Sequence, residues 1–421
     1  MSAGALPKPA AAVRLRIMKR MTATLRWFLF LGTILALSSL AAAEPHKRAS
    51  RQAIPEDPVA AAVDHLRNLE YQPAETLLDG YLKDHPDDLR AWNTLGTVIL
   101  YREMFQRGLL ESQLYGKKGE VFQPATTPVS DEFQRRLFEV LDKADALADA
   151  RLQKDPNDHD GLYWSGVAHG TRGTYLFAVK RSYKAALGEA KEANKQHRAL
   201  LKLDPAFVDA NMIVGVQDYV VGSLPWPVRM MAALVGAHGN RDQGLQEIEL
   251  VAQKGNYARD DARTLLAVLY QREERWTDAR RVLDDLVRRF PRSFLSAQEM
   301  ASVCSRLDDL RCVTTSYDEL LAKYHAGPPN SSWKRFWLAK ALDLSGQAHE
   351  RLGENEPALA RYGEAAKLSG DDRYIRRAQL ANAQLLQRLG RGDEARTHYE
   401  QLASSYPDSD EGKIARKALE R

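Results

Sequence analysis

The chain has 421 residues, of which 44% are hydrophobic and 28% are charged, so it is long enough for two or three ordinary domains or for one extended array of repeats. Lysine and arginine (60) nearly balance aspartate and glutamate (56), and the net charge of +4 gives no electrostatic argument for nucleic acid binding. With only two cysteines, the chain is not a disulfide framework.

The N-terminus is typical of an export signal. A basic region precedes an apolar run from Trp27 to Leu40, and three alanines ending at Ala43 supply the small residues of a cleavage site. We expect residues 1–43 to be a signal peptide cleaved after Ala43, and residues 44–57 to be a linker. The alternative is an uncleaved anchor, but the run is shorter than the roughly 20 residues that a spanning helix needs.

Cleavage implies a periplasmic or secreted protein with no stable membrane span after processing. The basic region before the apolar run is unusually long, so the start residue stays open. The candidates are Met1, Met18 and Met21.

From Asp57 onward the sequence predicts helices that are interrupted at regular intervals by proline. Trp92, Leu95 and Gly96 open one unit, and the same order of large, apolar and small residues returns in later units. The pattern resembles the tetratricopeptide repeat, a helical hairpin of about 34 residues. The resemblance implies an all-α fold: an α-solenoid of stacked antiparallel hairpins with a C-terminal capping helix. An irregular helical bundle is the alternative.

The repeats predict two arrays, an N-terminal array over residues 58–256 and a C-terminal array with its capping helix over residues 257–421. Glycine and proline mark two insertions in the first array, near residues 102–130 and 220–244.

The second insertion is the most apolar part of the expected mature chain. Its prolines predict a turn followed by a short amphipathic helix, Pro227 to Val235. This helix either packs inside the array as ordinary core or offers Trp226, Arg229 and Met230 to a partner.

No motif predicts catalysis. His349 and Glu350 lack the second histidine of a zinc protease helix, and the acidic and histidine residues after Pro156 fit a solvated turn. We therefore expect no enzyme, no metal and no cofactor, with a hydrolase hidden in a helical fold as the remaining alternative.

The resemblance implies that the first helices of successive hairpins line a concave face that binds extended peptides or partner helices. Aligning the units on their small residues places seven candidate partner-binding residues there; packing between repeats is the alternative for each of them. They are Arg90, Asn93, Tyr101, Tyr163, Met212, Tyr219 and Arg272. The middle positions, where chaperone-binding repeats carry lysine and asparagine, are Thr97, Val167, Val216 and Val268. A carboxylate clamp is therefore disfavoured.

These features suggest an exported scaffold or adaptor that binds other proteins or peptides of the cell envelope. The alternative is an assembly or trafficking factor for outer-membrane or polysaccharide machinery, whose subunits have endings similar to residues 406–409. Those subunits are commonly lipoproteins, and no cysteine lies directly after the apolar run here, where a lipid would be attached.

The two cysteines lie eight residues apart, Cys304 near the end of a first helix and Cys312 near the start of the next second helix. An intervening turn at residues 307–309 makes a disulfide feasible, because the two residues would lie almost level across the hairpin. Two reduced, buried thiols are the alternative.

Overall fold

The computed structural model describes residues 57–110, 128–234, 238–327 and 335–420. Every regular element in these ranges is helical, and sequential helices pack on one another, which confirms the predicted all-α solenoid. None of the helices in the described ranges is long and apolar enough to cross a bilayer. The predicted signal peptide, its cleavage site, the linker up to residue 56 and most of the first insertion lie outside the described residues.

The chain divides into two compact units, and unit 1 comprises residues up to Arg67 together with Tyr71–Arg272. Four hairpins form within its described residues: α1 with α2, α3 with α4, α5 with α6, and α7 with α9. A π-helical turn follows α5. The helices are α1 (Pro58–Arg67), α2 (Tyr71–Asp84), α3 (Leu89–Gln106), α4 (Asp131–Lys154), α5 (His159–Thr174), α6 (Tyr183–Leu203), α7 (Asn211–Gly222), α8 (Trp226–Leu234), α9 (Arg241–Lys254) and α10 (Arg259–Arg272).

Unit 2 comprises Asn68–Glu70 and Glu273–Arg421. Its described residues form three hairpins, α12 with α13, α14 with α15, and α16 with α17, and α18 packs on the last of them as the predicted capping helix. The helices are α11 (Trp276–Arg289), α12 (Phe294–Arg306), α13 (Leu310–His325), α14 (Arg335–Arg351), α15 (Asn355–Ala366), α16 (Arg373–Arg388), α17 (Gly392–Ser405) and α18 (Asp410–Leu419).

Short polar side chains define where several helices begin. Asp88 accepts a hydrogen bond from the backbone N–H of Ala91 (2.9 Å), and Asp158 accepts one from Gly161 (2.6 Å). The predicted cap Ser130 does the same at the start of α4. Each cap satisfies an N–H group that the first helical turn leaves without an acceptor.

Small residues allow the two helices of a hairpin to touch, as the repeat pattern requires. A Cβ atom added to Gly96 on α3 would lie 2.7 Å from the Leu141 side chain on α4. One added to Gly346 on α14 would lie 2.5 Å from the Tyr362 ring on α15. The same sequence position therefore has the same packing role in both units.

The insertion helix is present: the structure places α8 at Trp226–Leu234, one residue earlier than the predicted Pro227 to Val235. The prediction of a turn followed by a short helix is confirmed. Pro227 occupies the first turn of the helix, where the missing N–H costs no hydrogen bond.

Candidate functional site

Four of the predicted partner-binding residues belong to the core of unit 1. Asn93, Tyr163, Met212 and Tyr219 are each 0% exposed. A side chain with no accessible surface offers no contact to a partner of the folded protein, so the prediction of surface anchors is wrong at these four positions. The alternative, packing between repeats, describes them correctly.

Tyr163 shows why these positions are buried. Its ring lies among Trp164, His197, Phe207 and Tyr257, with centroid separations of 4.9, 5.1, 5.2 and 5.6 Å, respectively. Burial raises the pKa of the phenol well above its ordinary value. The hydroxyl oxygen has no hydrogen-bond partner among the described residues, so aromatic packing accounts for the position of the ring.

His197 on α6 links Tyr163, in the same hairpin, to the turn that precedes α7. Its Nε2 atom lies 3.0 Å from the carbonyl oxygen of Tyr163, and its Nδ1 atom lies 3.2 Å from that of Ala210. Burial lowers the pKa of His197 to about 4, against the opposing effect of the two carbonyl groups. A neutral, buried imidazole that touches two backbone segments is a packing element of unit 1.

Ion pairs also join residues of unit 1 that are distant in sequence. Arg67 on α1 forms an ion pair with the fully buried carboxylate of Asp261 on α10, although 194 residues separate them. Arg90 pairs with Asp57 (2.6 Å), and 24% of the Arg90 side chain stays exposed.

Three predicted residues of unit 1 keep some accessible surface, and their predicted role in partner binding stays a prediction. They are Arg90, Tyr101 and Arg272.

A second first-helix surface lies in unit 2, where α14 and α16 pack side by side. Polar residues recur on both helices at spacings of three, four and seven, which place them on one side of each helix. We call this surface the unit 2 face. It consists of Lys340, Asp343, Gln347 and Glu350 on α14 and Arg377, Gln384 and Arg388 on α16.

Ion pairs and hydrogen bonds connect the two helices of the unit 2 face. Arg377 lies 3.1 Å from the Asp343 carboxylate, and the Gln347 side-chain amide donates to the same carboxylate at 3.0 Å. Arg388 pairs with Glu350 further along. Burial raises the pKa of Asp343 to about 6, although Arg377 opposes that shift.

The outer part of the unit 2 face is accessible. The side chains of Arg377 and Arg388 are 41% and 57% exposed, and Gln384 is exposed between them. Arginine and glutamine provide the donors and acceptors that an extended peptide backbone needs. The same alignment on small residues, applied to Gly346 and Ala383, identifies these residues from the sequence. The seven predicted partner-binding residues, however, ended at Arg272.

His349, which the sequence excluded as part of a zinc motif, cross-links three helices of unit 2. Its Nδ1 atom lies 2.7 Å from Glu354, and its Nε2 atom lies 3.1 Å from Asp318. Arg361 approaches the same Asp318 carboxylate to 2.9 Å. Both ring nitrogens contact carboxylates, so the cluster fits a structural role. No group of metal-ligating side chains occurs among the residues that the structure describes.

On the insertion helix α8, the three residues predicted as possible partner contacts are exposed. Trp226 is 67% exposed, Met230 is 52% exposed, and Arg229 is also exposed. The expectation that this helix packs as ordinary core is therefore wrong for these three side chains.

Cys304 and Cys312 form a disulfide in the structure, with their Cα atoms 5.8 Å apart. Cys304 lies near the end of α12 and Cys312 near the start of α13, so the bond closes the turn of one hairpin. Asp309 caps α13 within that turn by accepting from the backbone N–H of Cys312 (3.0 Å).

Comparison with known families gives the repeat type. A family model described as Tetratricopeptide repeat matches residues 261–293 and 378–409. The chain therefore contains tetratricopeptide repeats in these two segments. Tetratricopeptide-repeat proteins bind other proteins and are generally scaffolds without catalytic activity. No curated protein matches the sequence.

Among solved structures, the chain is similar to a tetratricopeptide repeat protein from Parabacteroides merdae, with 14% identity over 76% of this chain and 95% of the other, at a TM-score of 0.28. Yeast Tom70 is 15% identical over 87% and 88% of the two chains, at a TM-score of 0.32. A thermophilic repeat protein of Thermus thermophilus is 17% identical over 60% and 94%, at 0.20.

Proposed function

We propose that this chain is an exported scaffold that binds an extended segment of a partner protein along the unit 2 face. The observation that carries the proposal is the set of accessible polar side chains on two adjacent first helices, with Lys340 and Asp343 buried beneath them. The accessible residues are Gln347 and Glu350 on α14 and Arg377, Gln384 and Arg388 on α16. In unit 1 the corresponding row is largely buried.

The chemistry of the unit 2 face supports a peptide ligand. Gln384 can donate to and accept from a peptide backbone, as asparagine and glutamine side chains do at many interfaces. Arg377 and Arg388 are held in place by Asp343 and Glu350 and still expose about half of their side chains. Arginines fixed in this way lose less conformational entropy when a partner binds.

Export is supported by two features of the sequence. The basic region, apolar run and alanines at the N-terminus are typical of a signal peptide. The bond between Cys304 and Cys312 would be stable in an oxidising compartment outside the cytoplasm. The partner proposed here is therefore a protein of the cell envelope.

A site-specific photocrosslinker tests the binding face. Placed at Gln384 in living cells, it should yield a discrete crosslinked product containing the partner. The matched control is the same crosslinker at Gln401, an exposed glutamine on the second helix α17. If both positions gave the same products, or Gln384 gave none, the unit 2 face would not be the binding surface.

Protein sequencing of the mature N-terminus tests export separately. We expect Glu44 to be the first residue of the protein recovered outside the cytoplasm. Recovery of the uncleaved apolar run in a membrane fraction would contradict processing, and recovery in the cytoplasm would contradict export.

A further inference from the structure

The insertion helix α8 carries the most exposed large apolar side chains of the described residues. Trp226 and Met230 are 67% and 52% exposed, ahead of Ile414 at 46%. Residues four apart on a helix lie on the same side, so the indole and the thioether form one outward-facing apolar pair. Two such side chains side by side are costly to leave in water.

The base of the insertion is fixed by close backbone contacts. A Cβ atom on Gly222 would lie 2.0 Å from the backbone nitrogen of Arg241, and one on Gly239 would lie 2.7 Å from Val221. Leu224, immediately before α8, is 4% exposed and anchors the segment in the core. The helix is thus presented from a firmly packed base.

The charged side chains between Asp218 and Asp242, around α8, are all basic. No acidic residue occurs between Asp218 and Asp242, although the chain as a whole has almost as many acidic as basic residues. Within this stretch Arg229 and Arg241 are exposed; Arg241 pairs with Asp242 (3.1 Å), so Arg229 is the cation that α8 itself presents. A surface that meets α8 therefore encounters positive charge and apolar side chains together.

We propose that α8 docks on an anionic lipid surface, with Trp226 and Met230 at the boundary between headgroups and acyl chains and Arg229 among the headgroups. Tryptophan favours that boundary because its ring is apolar and its N–H is polar. Helices that combine an apolar side with arginine lie in the interface plane of a membrane. The docking is peripheral and uses a different surface from the unit 2 face.

Vesicle sedimentation tests the docking. The full chain should sediment with vesicles of phosphatidylcholine and phosphatidylglycerol more than with phosphatidylcholine alone, and added salt should reduce the difference. Arg229→Ala should weaken binding to the anionic vesicles about fivefold, the ratio that corresponds to about 1 kcal/mol per basic residue. The double variant Trp226→Ala, Met230→Ala should lose about tenfold or more.

Matched controls separate α8 from the rest of the chain. Residues 1–56 are identical in all variants, so differences between variants report on α8. The control variant Leu203→Ala, Ile414→Ala removes two other exposed apolar side chains and should bind as the unaltered chain does. Arg377→Ala, on the unit 2 face, should also leave sedimentation unchanged.

Three results would overturn the proposal. The first is equal sedimentation of the unaltered chain and the double α8 variant. The second is an equal loss in the Leu203→Ala, Ile414→Ala control. The third is a self-association in light scattering that the double α8 variant abolishes, because α8 would then bind a second copy of the chain.

Discussion

The first helices of unit 1 and unit 2 share the repeat pattern but differ in the residues on the side of the helix that faces away from the partner helix of the hairpin. We call these residues the inner positions, and one of them directly follows the small residue of each first helix. Thr97, Val167 and Val216 in unit 1 are at most 4% exposed. The corresponding positions in unit 2 include Gln347 and Gln384, which keep accessible surface. The same register position is therefore core on α3, α5 and α7 of unit 1 and accessible and polar on α14 and α16 of unit 2, while Val268 on α10 of unit 1 keeps some accessible surface.

This difference shows that a repeat position has no fixed role. The hairpin contact is set by neighbours along the sequence, such as Gly346 against Tyr362. The exposure of the inner positions depends instead on which other segments of the same unit pack against them. Four experiments test the contrast, from the largest expected effect to the smallest.

Removing the Tyr163 ring should have the largest effect. Tyr163→Ala should lower the free energy of unfolding of unit 1 by about 3 to 5 kcal/mol, because a fully buried aromatic ring leaves a cavity. Urea denaturation followed by circular dichroism measures this change.

Tyr163→Phe is the matched control. It removes a hydroxyl that has no hydrogen-bond partner among the described residues, so stability should stay within about 1 kcal/mol or rise. A large loss in the phenylalanine variant would mean that the hydroxyl is bonded. A small loss in Tyr163→Ala would mean that the inner positions of unit 1 are not core.

The disulfide should matter only to unit 2. Replacing Cys304 and Cys312 together by alanine should destabilise the α12–α13 hairpin by about 2 to 3 kcal/mol, the value for so short a loop. Hydrogen exchange read by mass spectrometry should show faster exchange in α12 and α13 and unchanged exchange in α3 to α7. Equal acceleration in both units would contradict this local role.

Two buried groups, His197 in unit 1 and Asp343 in unit 2, should contribute to the acid response in opposite directions. The pKa of His197, lowered to about 4, makes its contribution to stability fall as pH falls from 6.5 towards 4, since only the unfolded histidine then gains a proton. The pKa of Asp343, raised to about 6, makes its contribution to stability rise as pH falls through that value. Each change should be about 1 to 3 kcal/mol.

Hydrogen exchange at neutral and acid pH, corrected for intrinsic rates, measures these contributions when a variant is compared with the unaltered chain. Asp343→Asn should remove the Asp343 gain from unit 2 and leave the acid response of unit 1 unchanged. A gain that persists in this variant would assign the effect to another carboxyl group.

The smallest effect is expected at Gln384. Gln384→Ala should change the free energy of unfolding by no more than about 0.5 kcal/mol, because an exposed side chain contributes little to packing. Thermal unfolding measures it. A loss above 1 kcal/mol would show that the unit 2 face is part of the core, and the contrast between the units would fail.

The sequence was sufficient to predict the hairpins, the capping helix and α8. These depend on local signals: small residues at the helix contact, prolines between repeats and prolines before α8. The burial of Tyr163 and Met212 could not be predicted in this way. It depends on packing between elements, and the Arg67–Asp261 pair, which spans 194 residues, leaves no periodic trace in the sequence.

The candidate site was predicted less well than the fold for the same reason. Periodicity identifies which residues share a helix side, but it carries no information about what covers that side. Asp343 illustrates this: it lies at an inner position next to accessible residues, yet it is 0% exposed and its pKa is raised by burial.

The backbone contact between Gly222 and Arg241 has a consequence for how this protein can change. The chain leaves the array after α7 and re-enters it before α9 at nearly the same point, so the segment between the buried Leu224 and Gly239 can change in length without altering the register of the hairpin. Loops with adjacent ends tolerate insertion and deletion well. A different sequence can therefore replace this segment while the repeats on either side keep their packing.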